Sequence, residues 1–154
     1  MTLKMNFSVL LIILLASCNF KSEHRTQDVS SKIIISDIEI MPDDIEGCAC
    51  YLSRDNESFE EQKHIFASNS DSTCYMMINS ELIKFKMKST TNEPFTFKDH
   101  DLIEKYESDK YQVIIESHFE DSTSYESWNF NGIISISNRS GDEEKISFVG
   151  TCGC

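Results

Sequence analysis

In Leu82-Ile83-Lys84-Phe85-Lys86-Met87-Lys88, residues 83–88 alternate strictly. Ile83, Phe85 and Met87 fall on one side, and Lys84, Lys86 and Lys88 on the other. Successive side chains of a strand point to opposite faces, so this stretch reads as a strand with one dry face and one wet face. That pattern belongs to an antiparallel sheet packed on one side only. Residues 73–78 (TCYMMI) form a second apolar run just upstream, and Asn79-Ser80 between the two fits a two-residue hairpin turn.

The same texture extends in both directions. Toward the N-terminus lie three further strand candidates, 33–40 (IIISDIEI), 48–52 (CACYL) and 65–67 (IFA), with a turn at Asn69-Ser70-Asp71. Residues 53–62 (SRDNESFEEQ) form an acidic connection with room for one helical turn. Toward the C-terminus, Phe95-Thr96-Phe97 reads as a short edge strand, 99–110 as charged loop or short helix, and 111–119 as a strand. Residues 121–126 read as polar loop. Strands over 128–137 and 145–149 flank the turn cluster Asn138-Arg139-Ser140-Gly141-Asp142. Strands at roughly ten-residue spacing, with no sustained helical period, predict an all-β antiparallel sandwich or small barrel over residues 33–154.

The first seventeen residues differ in kind. Lys4 precedes the ten-residue apolar core 7–16 (FSVLLIILLA). Roughly twenty apolar residues are needed to span a bilayer, so this core is an export signal helix, cleaved in the mature protein. Leu15-Ala16-Ser17-Cys18 resembles the lipobox of bacterial lipoprotein precursors. The resemblance implies lipid transfer to the Cys18 sulfur, palmitate among the chains, and cleavage before that residue. It also implies a membrane attachment through the lipid, in the cell envelope. Asn19, where an aspartate is associated with inner-membrane retention in such proteins, points to the outer membrane. Residues 18–32 are polar and aperiodic, a flexible, disordered spacer in which His24 is solvated.

The mature chain of 137 residues carries 13 basic against 26 acidic residues, a net charge of −13. Such acidity disfavours nucleic acid, whose binders carry basic patches. It suits solubility, and it is compatible with a basic protein partner.

Five cysteines follow Cys18. Residues two apart on a strand share a face but stand about 6.6 Å apart, near the upper limit for a disulfide, so Cys48 is not expected to bond Cys50, nor Cys152 to bond Cys154. If the two Cys-X-Cys segments lie side by side, the four sulfurs share one patch. Two disulfides and a Cys₄ site for zinc or copper(I) both fit that spacing, and an oxidising compartment favours disulfides. Cys74 is odd in number. It is a buried apolar residue or the partner of Cys50.

Gly47-Cys48-Ala49-Cys50-Tyr51, Tyr75-Met76-Met77-Ile78-Asn79, Trp128 with Gly132, and the terminal Gly150-Thr151-Cys152-Gly153-Cys154 together resemble a group of small bacterial lipoproteins without assigned function. The resemblance implies no activity. It implies that both Cys-X-Cys pairs belong to one unit.

Catalytic patterns are absent from the sequence: there is no Gly-X-Ser-X-Gly elbow, phosphate loop or His-Glu-X-X-His. Glu116, His118 and Glu120 share a strand face, which reads as a wet face before it reads as a cluster. Asp99-His100-Asp101 is a loop charge run, and Tyr125, Trp128 and Phe130 read as core bordering a hairpin. The expectation is a non-enzymatic, lipid-anchored binding or structural accessory module that needs no cofactor. The alternatives are a zinc or copper(I) thiolate protein on Cys48, Cys50, Cys152 and Cys154, and an inhibitor of a basic envelope hydrolase such as lysozyme. The Ser-Gly-X-X-Tyr segment of such inhibitors is missing here.

Overall fold

The computed structural model describes residues 32–69, 72–91 and 102–154. The leader, Cys18, residues 18–31 of the spacer with His24, Phe95-Thr96-Phe97, Asp99-His100-Asp101, and Ser70-Asp71 of one turn lie outside the described residues.

Eight strands follow one another up and down: β2 (Ala49–Ser53), β3 (Phe66–Asn69), β4 (Thr73–Ile78), β5 (Glu81–Thr90), β6 (Leu102–Glu107), β7 (Tyr111–Ser124), β8 (Ser127–Asn138) and β9 (Glu143–Gly153). Each pairs antiparallel with the next, and β9 pairs with β2. That last pairing closes the sheet, so of the two expected architectures the chain adopts the barrel. β1 (Ile35–Ser36) adds to the free stretch of β4, through Ile35↔Ile78.

Closure sorts every strand into an inner and an outer face. The pair β4–β5 is joined by Asn79 and Ser80, both with positive φ (51° and 64°), the backbone of a type I′ hairpin. Ile83 and Phe85 turn inward and are buried, while Lys84, Lys86 and Lys88 face out. Phe66, Met76, Ile78, Tyr106, Val113, Ile115, Phe130, Ile134, Ile136 and Phe148 complete the interior. An eight-stranded barrel is just wide enough for such side chains to fill it. Burial of each large apolar side chain contributes roughly 1.5–3 kcal/mol. Gly132 on β8 makes room for this packing, because a Cβ there would lie 1.9 Å from the Glu116 carbonyl oxygen and 2.8 Å from the Phe148 ring.

Three local expectations are corrected. Residues 99–110 are not loop or helix throughout, since 102–107 form β6. Its alternation was masked because Glu104 occupies an inward position between Leu102 and Tyr106. The polar stretch 121–126 is mostly strand. β7 runs on to Ser124 through two irregularities in register, and Asp121 accepts a hydrogen bond from Asn129 Nδ2 at 2.7 Å. Finally, 33–40 is a strand only at Ile35–Ser36. Beyond it the chain becomes a strap across the outside of the barrel, with Ile38 and Ile45 packed over Ala49, Ala67 and Tyr75.

That strap is fixed by polar contacts along its length. Arg54 Nη2 donates to the Ile35 carbonyl at 2.6 Å, and the Ile38 amide donates to the His64 carbonyl at 2.7 Å. Asp44 Oδ2 accepts from Tyr75 Oη at 2.6 Å and from Lys84 Nζ at 2.8 Å. Those two donors hold the Asp44 carboxyl below the usual carboxylate range, the Lys84 bond being the larger cause.

Candidate functional site

The four paired cysteines meet on the closing seam. β2 and β9 run antiparallel with Cys50 opposite Cys152, so the period of two also sets Cys48 opposite Cys154. The sulfurs are joined as Cys48–Cys154 and Cys50–Cys152, at 1.99 and 2.01 Å, with Cα atoms 4.0 Å apart in each pair. Cross-strand partners this close belong to the non-hydrogen-bonded class, and equal spacing on both strands makes both pairs of that class. The inner bridge is shielded, Cys152 being 8% exposed, whereas Cys48 and Cys154 stand exposed at the barrel rim. Gly150 lets the strands approach: a Cβ there would meet the Tyr51 carbonyl oxygen at 2.2 Å.

Joined in this way, the sulfurs offer a metal no thiolate, and the thiolate alternative requires all four to be reduced. Among the described residues no group of three or more His, Cys, Asp or Glu side chains is gathered to hold a metal ion.

Cys74 is fully buried and free. It lies in an inward row that crosses six strands: Trp128, Cys152, Cys50, Ser68, Cys74 and Phe85 stand next to one another in register. Ser68 separates Cys74 from Cys50, and two strand spacings amount to about 9.6 Å. Cys74 is therefore the buried apolar cysteine and not the partner of Cys50. Burial, with the Glu104 charge as a lesser cause, pushes its thiol well above the ordinary value and keeps it unreactive.

Glu104 stands at an inward position of β6, opposite Ile115. Tyr106 Oη donates to its Oε2 at 3.2 Å. Burial pushes Glu104 up to about 7, the tyrosine bond only partly opposing it, and burial likewise raises the Tyr106 hydroxyl.

A second locus lies outside the barrel, and no motif in the sequence pointed to it. Tyr51 and Ser53 share the outward face of β2. The chain then forms α1 (Asn56–Glu60), whose first turn is capped by Asp55 Oδ1 accepting from the Ser58 amide at 2.7 Å. Gln62, at φ 59°, turns the backbone out of the helix and toward β3. His64 follows, with Nδ1 and Ser53 Oγ 2.9 Å apart. Its ring packs 5.1 Å from Tyr51 and edge-on at 5.7 Å from Phe59, centroid to centroid. With Ile38, Glu39 and Met41 from the strap, these rings line a groove of about 540 Å³.

Burial lowers the His64 pKa, with the Asp37 charge opposing, and so favours the neutral ring. The Ser53–His64 pair is not an accessible nucleophile and base, because Ser53 is 0% exposed. Its hydroxyl fixes the ring.

The remaining sequence candidates stay apart from both loci. Glu116, His118 and Glu120 are exposed on the outer face of β7, and Glu120 accepts a hydrogen bond from Asn131. Phe130 is core, Trp128 packs against it, and Tyr125 is 94% exposed at the β7–β8 turn. Only the continuous apolar run Cys-Ala-Cys-Tyr-Leu hinted at the groove, since a strand without alternation is covered on both faces. Compared with protein-family models, curated proteins and solved structures, the chain matches none.

Proposed function

We propose that this chain is a lipid-anchored protein of the cell envelope, attached through Cys18 and acting as a non-enzymatic binding or accessory module. The barrel is held off the outer membrane by residues 18–32, and its acidic surface favours a basic protein partner. One observation carries this reading: two S–S bridges close the barrel seam. Disulfides of this kind persist outside the cytosol, and the lipobox-like leader would deliver the chain there. Two or more acyl chains on Cys18 anchor stably where one would not.

The test is direct. Protein expressed in a bacterial host should incorporate labelled palmitate, and Cys18→Ala should abolish the label. The mature protein should be four hydrogens lighter than its reduced form. Among Cys48, Cys50, Cys74, Cys152 and Cys154, only Cys74 should alkylate after denaturation. Four or five alkylatable thiols, or an unlabelled protein, would overturn the reading.

A second reading has its own support, because the seam gathers four sulfurs on two adjacent strands. Prepared under reducing conditions, a zinc or copper(I) protein would carry one metal per chain and lose it in Cys152→Ser. A protein free of metal after that preparation would exclude the thiolate reading. Inhibition of a basic hydrolase is the narrowest form of the binding reading, and retention of hen-type lysozyme at physiological salt checks it.

A further inference from the structure

We propose that the groove between the strap, β2 and α1 binds an organic cation, the ammonium or guanidinium side chain of a basic protein partner. The proposal rests on the binding-module reading and assigns it a place. Three features of the groove point to a cation.

The first is its aromatic wall. Tyr51 and Phe59 each lie within 6 Å of the His64 ring, and both are half-buried benzenoid rings of the kind whose faces attract cations. Second, the lining favours a cation: Glu39 is the one acid among the residues that line the groove and no lysine or arginine lines it, while Glu57 and Glu60 lie on the short helix beside it. Of the nearby charges outside the lining, Arg54 is engaged on the Ile35 carbonyl and the Asp37 carboxylate, and Lys63 and Glu61 pair with each other. Third, the one basic group in the wall, His64, is packed against Tyr51 and Phe59, and its burial lowers its pKa and so disfavours a charge that would repel a cation.

Size agrees as well. At about 540 Å³ the groove is within the range of small-ligand sites and admits a long side chain. The walls are also held independently of any ligand, through the Ile38–His64 backbone bond and the packing of Ile38 on the barrel. The site is largely pre-formed, which lowers the cost of binding.

Nuclear magnetic resonance of the detergent-solubilised mature protein, labelled at isoleucine and methionine methyls and at histidine rings, tests this. The probes are the N-acetyl methylamides of lysine, arginine and norleucine. Both cations should give saturable shifts at Ile38, Met41 and His64, while norleucine, with the same aliphatic stem and no charge, should not. Phe59→Leu keeps an apolar side chain on α1 but removes the ring, and should weaken the cation by about tenfold. Phe59→Trp should restore or strengthen it, and Glu39→Gln should weaken it with reduced salt dependence.

Equal response to norleucine would reveal an apolar pocket only and overturn the proposal, as would the absence of saturable shifts with either cation. An undiminished affinity in Phe59→Leu would do the same. Retention of a basic protein by a chain whose groove fails these tests would sink the site and leave the module reading intact. Loss of the palmitate label would sink that reading without altering the groove's affinity.

Discussion

The outer surface of the barrel consists of two unlike sectors. Outside β2, β3 and β4 the wall is apolar and covered, with Ala49, Ala67 and Tyr75 beneath Ile38 and Ile45 of the strap. Outside β5 and β7 the wall is wet, and carries Lys84, Lys86, Lys88, Glu116, His118 and Glu120. The interior is the same for both: Phe66 behind the covered sector and Phe85 behind the open one are each buried. A barrel needs only one dry face, so the second layer over β2–β4 is not required for closure. What it adds is a groove with fixed walls. The groove occurs where strap, helix and sheet meet, whereas the concavity of about 260 Å³ on the open sector lies at the β6–β7 and β8–β9 turns and is lined mainly by polar side chains, Lys110, Gln112 and Arg139 among them.

The two sectors meet at the β2–β9 seam, and the largest predicted effect is there. A bridge across a loop of 102 residues stabilises by about 4.7 kcal/mol in the chain-entropy model. Once one bridge is formed, the second closes a ring of only a few residues and adds about 2 kcal/mol. Replacing Cys48 and Cys154 by serine should therefore cost about 2 kcal/mol in urea unfolding, whereas replacing all four cysteines should cost about 7 kcal/mol. Equal losses from one bridge and from both would mean that the Cys50–Cys152 bridge alone contributes nothing to stability. In that case the covered and open sectors are not held together by that bridge.

Next in size are the interior aromatics, which should not distinguish the sectors. Phe66→Ala and Phe85→Ala should each destabilise by about 3–5 kcal/mol, through lost transfer energy and the cavity left behind. A difference between them larger than their usual spread would show that the strap supports the interior as well as the outer wall.

Glu104 lies on the inner face of the open sector, and its effect depends on pH. Its pKa is about 7 in the folded barrel against 4.5 for the ordinary side chain. A raised carboxyl pKa means that the folded state binds the proton more tightly. The associated stability is complete below about pH 4.5 and is lost as pH rises through about 7, to an extent on the order of 3 kcal/mol. His64, in the covered sector, has the opposite sign. Its lowered pKa gives a contribution present above about pH 6.5 and lost on acidification. Glu104→Gln should be more stable than the parent at pH 8 and should flatten the denaturation profile between pH 4.5 and 7. Identical profiles would place the carboxylate in water.

The contrast between sectors also explains what could be read from sequence. Alternation was plain at Leu82–Lys88 because every outward position there is wet. On the covered sector, Cys-Ala-Cys-Tyr-Leu and Thr-Cys-Tyr-Met-Met-Ile are apolar on both faces, so strands were legible while the layer above them was not. β6 was hidden by a single inward acid, Glu104. Barrel and sandwich were indistinguishable because closure depends on β9 meeting β2 across a hundred residues, and the only trace of it was the matched Cys-X-Cys spacing. The sulfur patch was legible for the same reason. The groove was not, since it depends on where a strap of irregular chain crosses the sheet, and no periodicity records that.

The smallest effect is the sharpest test of the two-sector description, because the chemistry is held constant. Ile38 in the strap is 7% exposed, and Ile133, on the outer face of β8, is 43% exposed. Ile→Val removes one methylene from each. Under the strap that group is dry and packed, so Ile38→Val should cost about 1 kcal/mol. On the open wall the group is already half in water and valine suits a strand, so Ile133→Val should stay within about 0.5 kcal/mol of the parent. Urea unfolding of the two variants side by side measures the difference. Equal small losses would mean that the strap lies on the barrel without excluding water, and the groove it helps to form would then have no fixed wall.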